Sequence, residues 1–135
     1  MLTLVHAAPT LNTLYGATDR SDDFAVGTVE RVGMRAGDLL VVGHTHPSWH
    51  RDLHGMHFVN TVSVGRPKDG DWRAGHTIVT IGDVVEVSHI RVAYDVERTI
   101  RAIRESSFPP EFADDLSRGG RPSTGSLNGR CSPNG

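Results

Sequence analysis

Eight histidines are spread over 135 residues, and five of them fall between residues 44 and 57. Imidazole changes charge near neutral pH and, when neutral, ligates Zn, Mn, Fe and Ni. Three of the eight stand where such chemistry is usually placed. His6 follows an apolar run at residues 2–5. His44 and His46 follow a second run at residues 39–42, in the string Gly43-His44-Thr45-His46-Pro47. Short apolar runs without alternation predict strands buried on both faces. In α/β folds, ligands collect at the carboxyl ends of such strands. Residues two apart on an extended chain share a face, so His44 and His46 are expected to point together. Gly43 lets the chain turn closely before them. With the two strands as neighbours, His6, His44 and His46 meet in one pocket and can hold metal.

The other five histidines carry a plainer expectation. His46, His50 and His54 have helical spacing, but Pro47 and Gly55 argue against a helix there. His57, His76 and His89 sit in strand-like text. All five of His50, His54, His57, His76 and His89 are read as packed or solvated. Arg66 and Lys68, after the turn at Ser63-Val64-Gly65, have the charge to hold a phosphate, although most loop cations are simply solvated.

The elements that must position these groups follow from the punctuation. Residues 10–20 read as a loop. Ser21 is placed to cap a helix running to about Val32. Residues 48–58 read as a turn and one short strand leading to Val59 and Asn60. Residues 75–81 and 84–94 form two β-rich runs joined at Gly82-Asp83, a hairpin signal. Asp95 caps a helix to about Glu105, with Val96, Ile100 and Ile103 on one face. Pro109-Pro110 starts a short further helix carrying Phe112, Ala113 and Leu116. Residues 119–135 have one Leu and no periodicity and are expected to be a disordered tail, leaving residues 1–118 as the folded unit.

Composition removes several classes. Sixteen acidic and fourteen basic side chains give a net charge of −2, which does not suit a chain that wraps nucleic acid. One Cys excludes an internal disulfide framework and a cysteine-based zinc finger. No apolar run approaches the roughly 20 residues of a membrane span. The start, MLTLVH, is too short for a signal-peptide core and lacks a basic flank, so the expected location is the cytoplasm.

The strings LTLVHAAP, LVVGHTHP and FVNTVSVGRPKDGDWRA, then a hairpin and a helix opening YDVE, occur in this order. Together, from Leu2 to Gly119, they resemble the carboxyl-terminal half of the calcineurin-like metallophosphoesterases. The compact bacterial and archaeal phosphodiesterase subfamily is the best likeness. The resemblance implies an α/β fold, half of a four-layer α/β/β/α sandwich, with a mixed sheet and carboxyl-terminal helices. It implies a site for divalent ions, Mn or Zn, Fe or Ni, two in the full family site. His6 and His44 would ligate the second ion and His46 the first. Asn60, Ser63, Gly65 and Arg66 match the turn beside that site. The substrate implied is a phosphate-ester small molecule or a nucleotide-like one, attacked by metal-bridged hydroxide.

The sequence also departs from that pattern. The family's Asp-x-His, Gly-Asp and Gly-Asn-His motifs have no counterpart, Ala7 replaces a Gly, and Thr61-Val62 replaces Pro-Gly. Three neutral imidazoles cannot offset the repulsion of two adjacent dications, so at most one ion is expected, and the chain alone is expected to be a truncated, inactive piece. Zn²⁺ on three histidines with an open position fits the ligand set. A half sandwich leaves apolar sheet exposed, which calls for a partner, a second copy or an amino-terminal half. Two alternatives compete. One is a non-catalytic remnant that binds metal or a partner. The other is a JAMM-type zinc isopeptidase, which shares His-x-His-Pro but wants Ser and Asp where this chain has His54 and His57.

Overall fold

The computed structural model describes residues 1–7 and 21–120. The loop expected at residues 10–20 lies outside them, as does the tail beyond Gly120. Two leucine- and valine-rich runs and a hairpin carrying Trp49, Phe58 and Val59 form a mixed four-stranded sheet in the order β1-β2-β4-β3. β1 (Leu2–Leu4), β2 (Leu39–Val42) and β4 (Met56–Asn60) are parallel neighbours, and β3 (Trp49–Leu53) runs antiparallel to β4. The β2 side chains are all buried, because this strand is covered on both faces. Leu40 and Val42 join a cluster with Ala25 and Val29 of α1 (Asp22–Arg31) and with Leu53, Met56 and Phe58. Leu39 and Val41 join Val59 on the other face, against Val79 and Val87.

Those last two belong to β5 (Ala74–Ile81) and β6 (Val85–Val92), a separate antiparallel hairpin. Its Thr77–His89 and Val79–Val87 pairs share one face. The two valines pack on the sheet. Gly75 backs onto Val62, since a Cβ there would lie 2.4 Å from Val62 Cγ2.

Helix ends follow the sequence. Ser21 Oγ accepts from Phe24 N at the start of α1, and Gly33, at φ 72°, closes it in the left-handed conformation. Asp95 Oδ1 accepts from Arg98 N at the start of α2 (Val96–Arg104). Ile100 of α2 packs against Ala113 and Leu116 of α3 (Glu111–Ser117). Among the described residues no helix is long and apolar enough to cross a membrane.

Two expectations need correction. β1 is not buried on both faces: among the described residues it pairs with β2 alone, at the edge of the sheet, and Leu2 and Leu4 are 51% and 68% exposed. Residues 48–58 are not a turn and one strand but a tight hairpin, β3 to β4, with Leu53 opposite Met56. Its two loop residues, His54 and Gly55, have φ of 56° and 81°, the primed-turn geometry that matches strand twist. Asp52 Oδ1 accepts from Gly55 N at 2.7 Å and holds the turn.

Candidate functional site

The parallel pairing of β1 and β2 continues past their ends. Val5 N donates to Val41 O, and the His6 carbonyl accepts from both Gly43 N (3.0 Å) and His44 N (2.9 Å). This shared acceptor locks the two histidines side by side. Gly43 is tightly placed, since a Cβ would lie 3.0 Å from Thr61 Oγ1. The outcome is contact between imidazoles 38 residues apart. His44 Nδ1 lies 2.5 Å from His6 Nε2, with the rings edge to face. An open groove of about 350 Å³ runs beside them, lined by Leu4, Val5, His6, Val41, Val42, Gly43 and Thr61.

His46 arrives differently from the expectation. The strand ends at Val42, so His44 and His46 lie in the turn beyond it, where the two-residue alternation no longer applies. His46 has φ of 74°, and its Nδ1 lies 2.5 Å from the Arg66 carbonyl. A carbonyl only accepts, so Nδ1 carries a proton, and in the neutral ring Nε2 is the nitrogen with the lone pair. Metal-ligating histidines are commonly oriented in this way. Burial, then the neighbouring His6, His46 and Lys68, holds His44 below the usual imidazole pKa of 6.5.

Asn60, fully buried at the end of β4, fixes the histidine turn. Its Nδ2 donates to Thr45 Oγ1 at 2.6 Å and to the Pro47 carbonyl, and its Oδ1 is buried with no partner. Ser63 Oγ accepts from Arg66 N at 3.0 Å, shaping the turn that presents the Arg66 carbonyl to His46. Gly65 is exposed, with open space where a Cβ would stand. The Arg66 guanidinium turns away to Asp115 (3.2 Å) and lies over the Phe112 ring. Thr45 and Pro47, held by Asn60, and Thr61, against Gly43, support the site. An Asn ending an apolar strand is the sequence signal for the first two.

The structure thus brings His6 and His44 into contact and ties His46 to the turn at residues 63–66. Among the described residues no three His, Cys, Asp or Glu side chains stand together as metal ligands. Two ligand nitrogens on one tetrahedral Zn²⁺ stand about 3.3 Å apart, from arms of about 2.0–2.1 Å. Seating an ion between His6 and His44 therefore needs the rings to part by roughly 0.8 Å. The donor set fits the imidazole side of one ion and does not fit a two-ion centre.

No family model and no curated protein matches the sequence. Solved structures do match. A metallophosphoesterase from Sphaerobacter thermophilus superposes with a TM-score of 0.73 at 23% identity, over 87% of this chain and 55% of that one. The chain shares its fold with about half of that structure. A hypothetical protein, PH1004 from Pyrococcus horikoshii OT3, superposes with a TM-score of 0.75 at 19% identity, over 90% of this chain and 47% of that one. The chain therefore spans about half the length of each. Its described residues form a mixed sheet, a stacked hairpin and two carboxyl-terminal helices.

Protonation links this region to stability. His44, His50 and His89 are each held below 6.5, chiefly by burial. A folded state that resists protonation binds fewer protons than the unfolded chain, so stability is complete above 6.5 and is lost as pH falls beneath it. Asp71 is held at about 2 by the Arg73 guanidinium, so its contribution is present above 3.8 and fades only as pH falls toward 2. Thermal denaturation of metal-free protein from about pH 8 to about pH 3 should show two separate declines in Tm. A Tm that is flat between pH 7 and pH 5 would contradict the first.

Proposed function

We propose that this chain carries the histidine portion of a metal-dependent phosphoric ester hydrolase site. His6 and His44 hold one divalent ion, with His46 beside them. The observation that carries the reading is the imidazole contact at the ends of two parallel strands, in a fold shared with a metallophosphoesterase. A divalent ion there would act as a Lewis acid on a phosphoryl oxygen and acidify bound water. Asn60 keeps the histidine turn in place, and Lys68 adds positive charge for an anionic ester. Phosphomonoesters and phosphodiesters, including nucleotide-like ones, are the substrate class.

A two-ion centre needs carboxylates to offset the charges, so the chain by itself binds its ion without turning over substrate. The same reading sets a further polypeptide, an amino-terminal half or a second copy, against the open edge of β1 at Leu2 and Leu4. The test pairs Mn²⁺ or Zn²⁺ with inorganic phosphate and bis-p-nitrophenyl phosphate. We expect phosphate to bind only with metal present, to be lost in His44→Ala, and the diester to stay intact. Phosphate binding unaffected by His44→Ala, metal-dependent hydrolysis by the chain alone, or cleavage of ubiquitin-like conjugates would overturn it.

A further inference from the structure

We propose that His50 and His57 form a second metal seat, taking a borderline ion such as Zn²⁺, Ni²⁺ or Cu²⁺, on the sheet face that carries the β5–β6 hairpin. It shares no residue with the His6–His44 pair. The register creates it. His50 stands opposite Val59, and Asp52 stands opposite His57, across the β3–β4 ladder. Residues two apart share a face, so His50, Asp52, His57 and Val59 all project to one side. That side is known from Val59, which packs toward Val79 and Val87 of the hairpin.

His50 Nε2 lies 3.1 Å from His57 Nδ1, with the rings tilted by 36°. Ligand nitrogens on one tetrahedral Zn²⁺ are separated by about 3.3 Å, so an ion can enter with little ring movement. Here the required adjustment is far smaller than at His6 and His44. Asp52 sits close enough to act on His50, and its negative charge offsets that of a dication. Water completes the coordination sphere, consistent with the lack of a third protein ligand already in place. On the facing β6 strand, His89 Nδ1 is 3.0 Å from Thr77 Oγ1, and its Nε2 is buried with no hydrogen-bond partner among the described residues.

The experiment uses untagged full chain carrying His44→Ala, which removes the first site from view. Isothermal titration with Zn²⁺ or Ni²⁺ should show one binding event, weakened at least about tenfold by adding His50→Ala or His57→Ala. Mg²⁺, which prefers oxygen ligands, should not compete. In the unmutated chain, Zn²⁺ should shift the ring ¹⁵N resonances of His50 and His57, a readout that needs no variant to fold. Zn²⁺ affinity unchanged by His50→Ala, or ring resonances of both residues that do not move, would overturn the proposal.

Discussion

The His44→Ala variant, made in a His50→Ala background, should bind Zn²⁺ at least about 100-fold more weakly than that background alone. The magnitude follows from a comparison. Removing a group that merely orients a ligand costs about 10–100-fold in metal affinity, and His44 is itself the proposed ligand. His44 Nδ1 and His6 Nε2 face each other at 2.5 Å, and among the described residues no third ligand already stands with them. The alanine should leave the backbone intact, because the two strand ends are held by His44 N and Gly43 N on the His6 carbonyl, not by the ring. His76→Ala, on an exposed residue of the opposite face of β5, is the control and should leave affinity unchanged. Isothermal titration decides it. Equal affinity in His44→Ala would remove this histidine from the site.

Leu40→Ala should cost about 2–5 kcal/mol of folding stability. Leu40 is fully buried at the centre of the sheet, between β1 and β4, and lies in the cluster that joins α1 to the strands. No neighbouring strand or helix can close the resulting cavity without breaking a ladder or moving α1. Leu2→Ala removes the same side chain from the open face of β1, where it is half exposed, and should stay within about 0.5 kcal/mol. Urea denaturation of both variants measures the contrast. Similar losses for the two would mean that the β1 face is covered and that Leu40 is not the centre of the core.

Much of this arrangement is written in local sequence. The unalternated run at residues 39–42 gives a strand covered on both faces, and the histidine after it marks a strand end. Ser21, Asp95 and Pro109-Pro110 mark helix starts through capping chemistry and fixed φ. What was not legible depends on partners distant in sequence. Residues 2–5 look like residues 39–42, yet among the described residues β2 gains a neighbour on both sides and β1 on one. The β3–β4 turn carries no local signal, because His54 stands where Asn or Asp usually marks a primed turn. Strand alternation sets His46 beside His44, but the chain leaves the strand at Val42. His50 and His57 look unrelated until the ladder register brings their rings together.

The central claim is that the ends of β1 and β2 deliver two imidazoles to one ion. An anomalous difference map from crystals grown with Zn²⁺ tests it most directly. The account predicts a peak about 2.0–2.1 Å from both His6 Nε2 and His44 Nδ1. A map with no peak between those two nitrogens, whatever appears at His50 and His57, would contradict it.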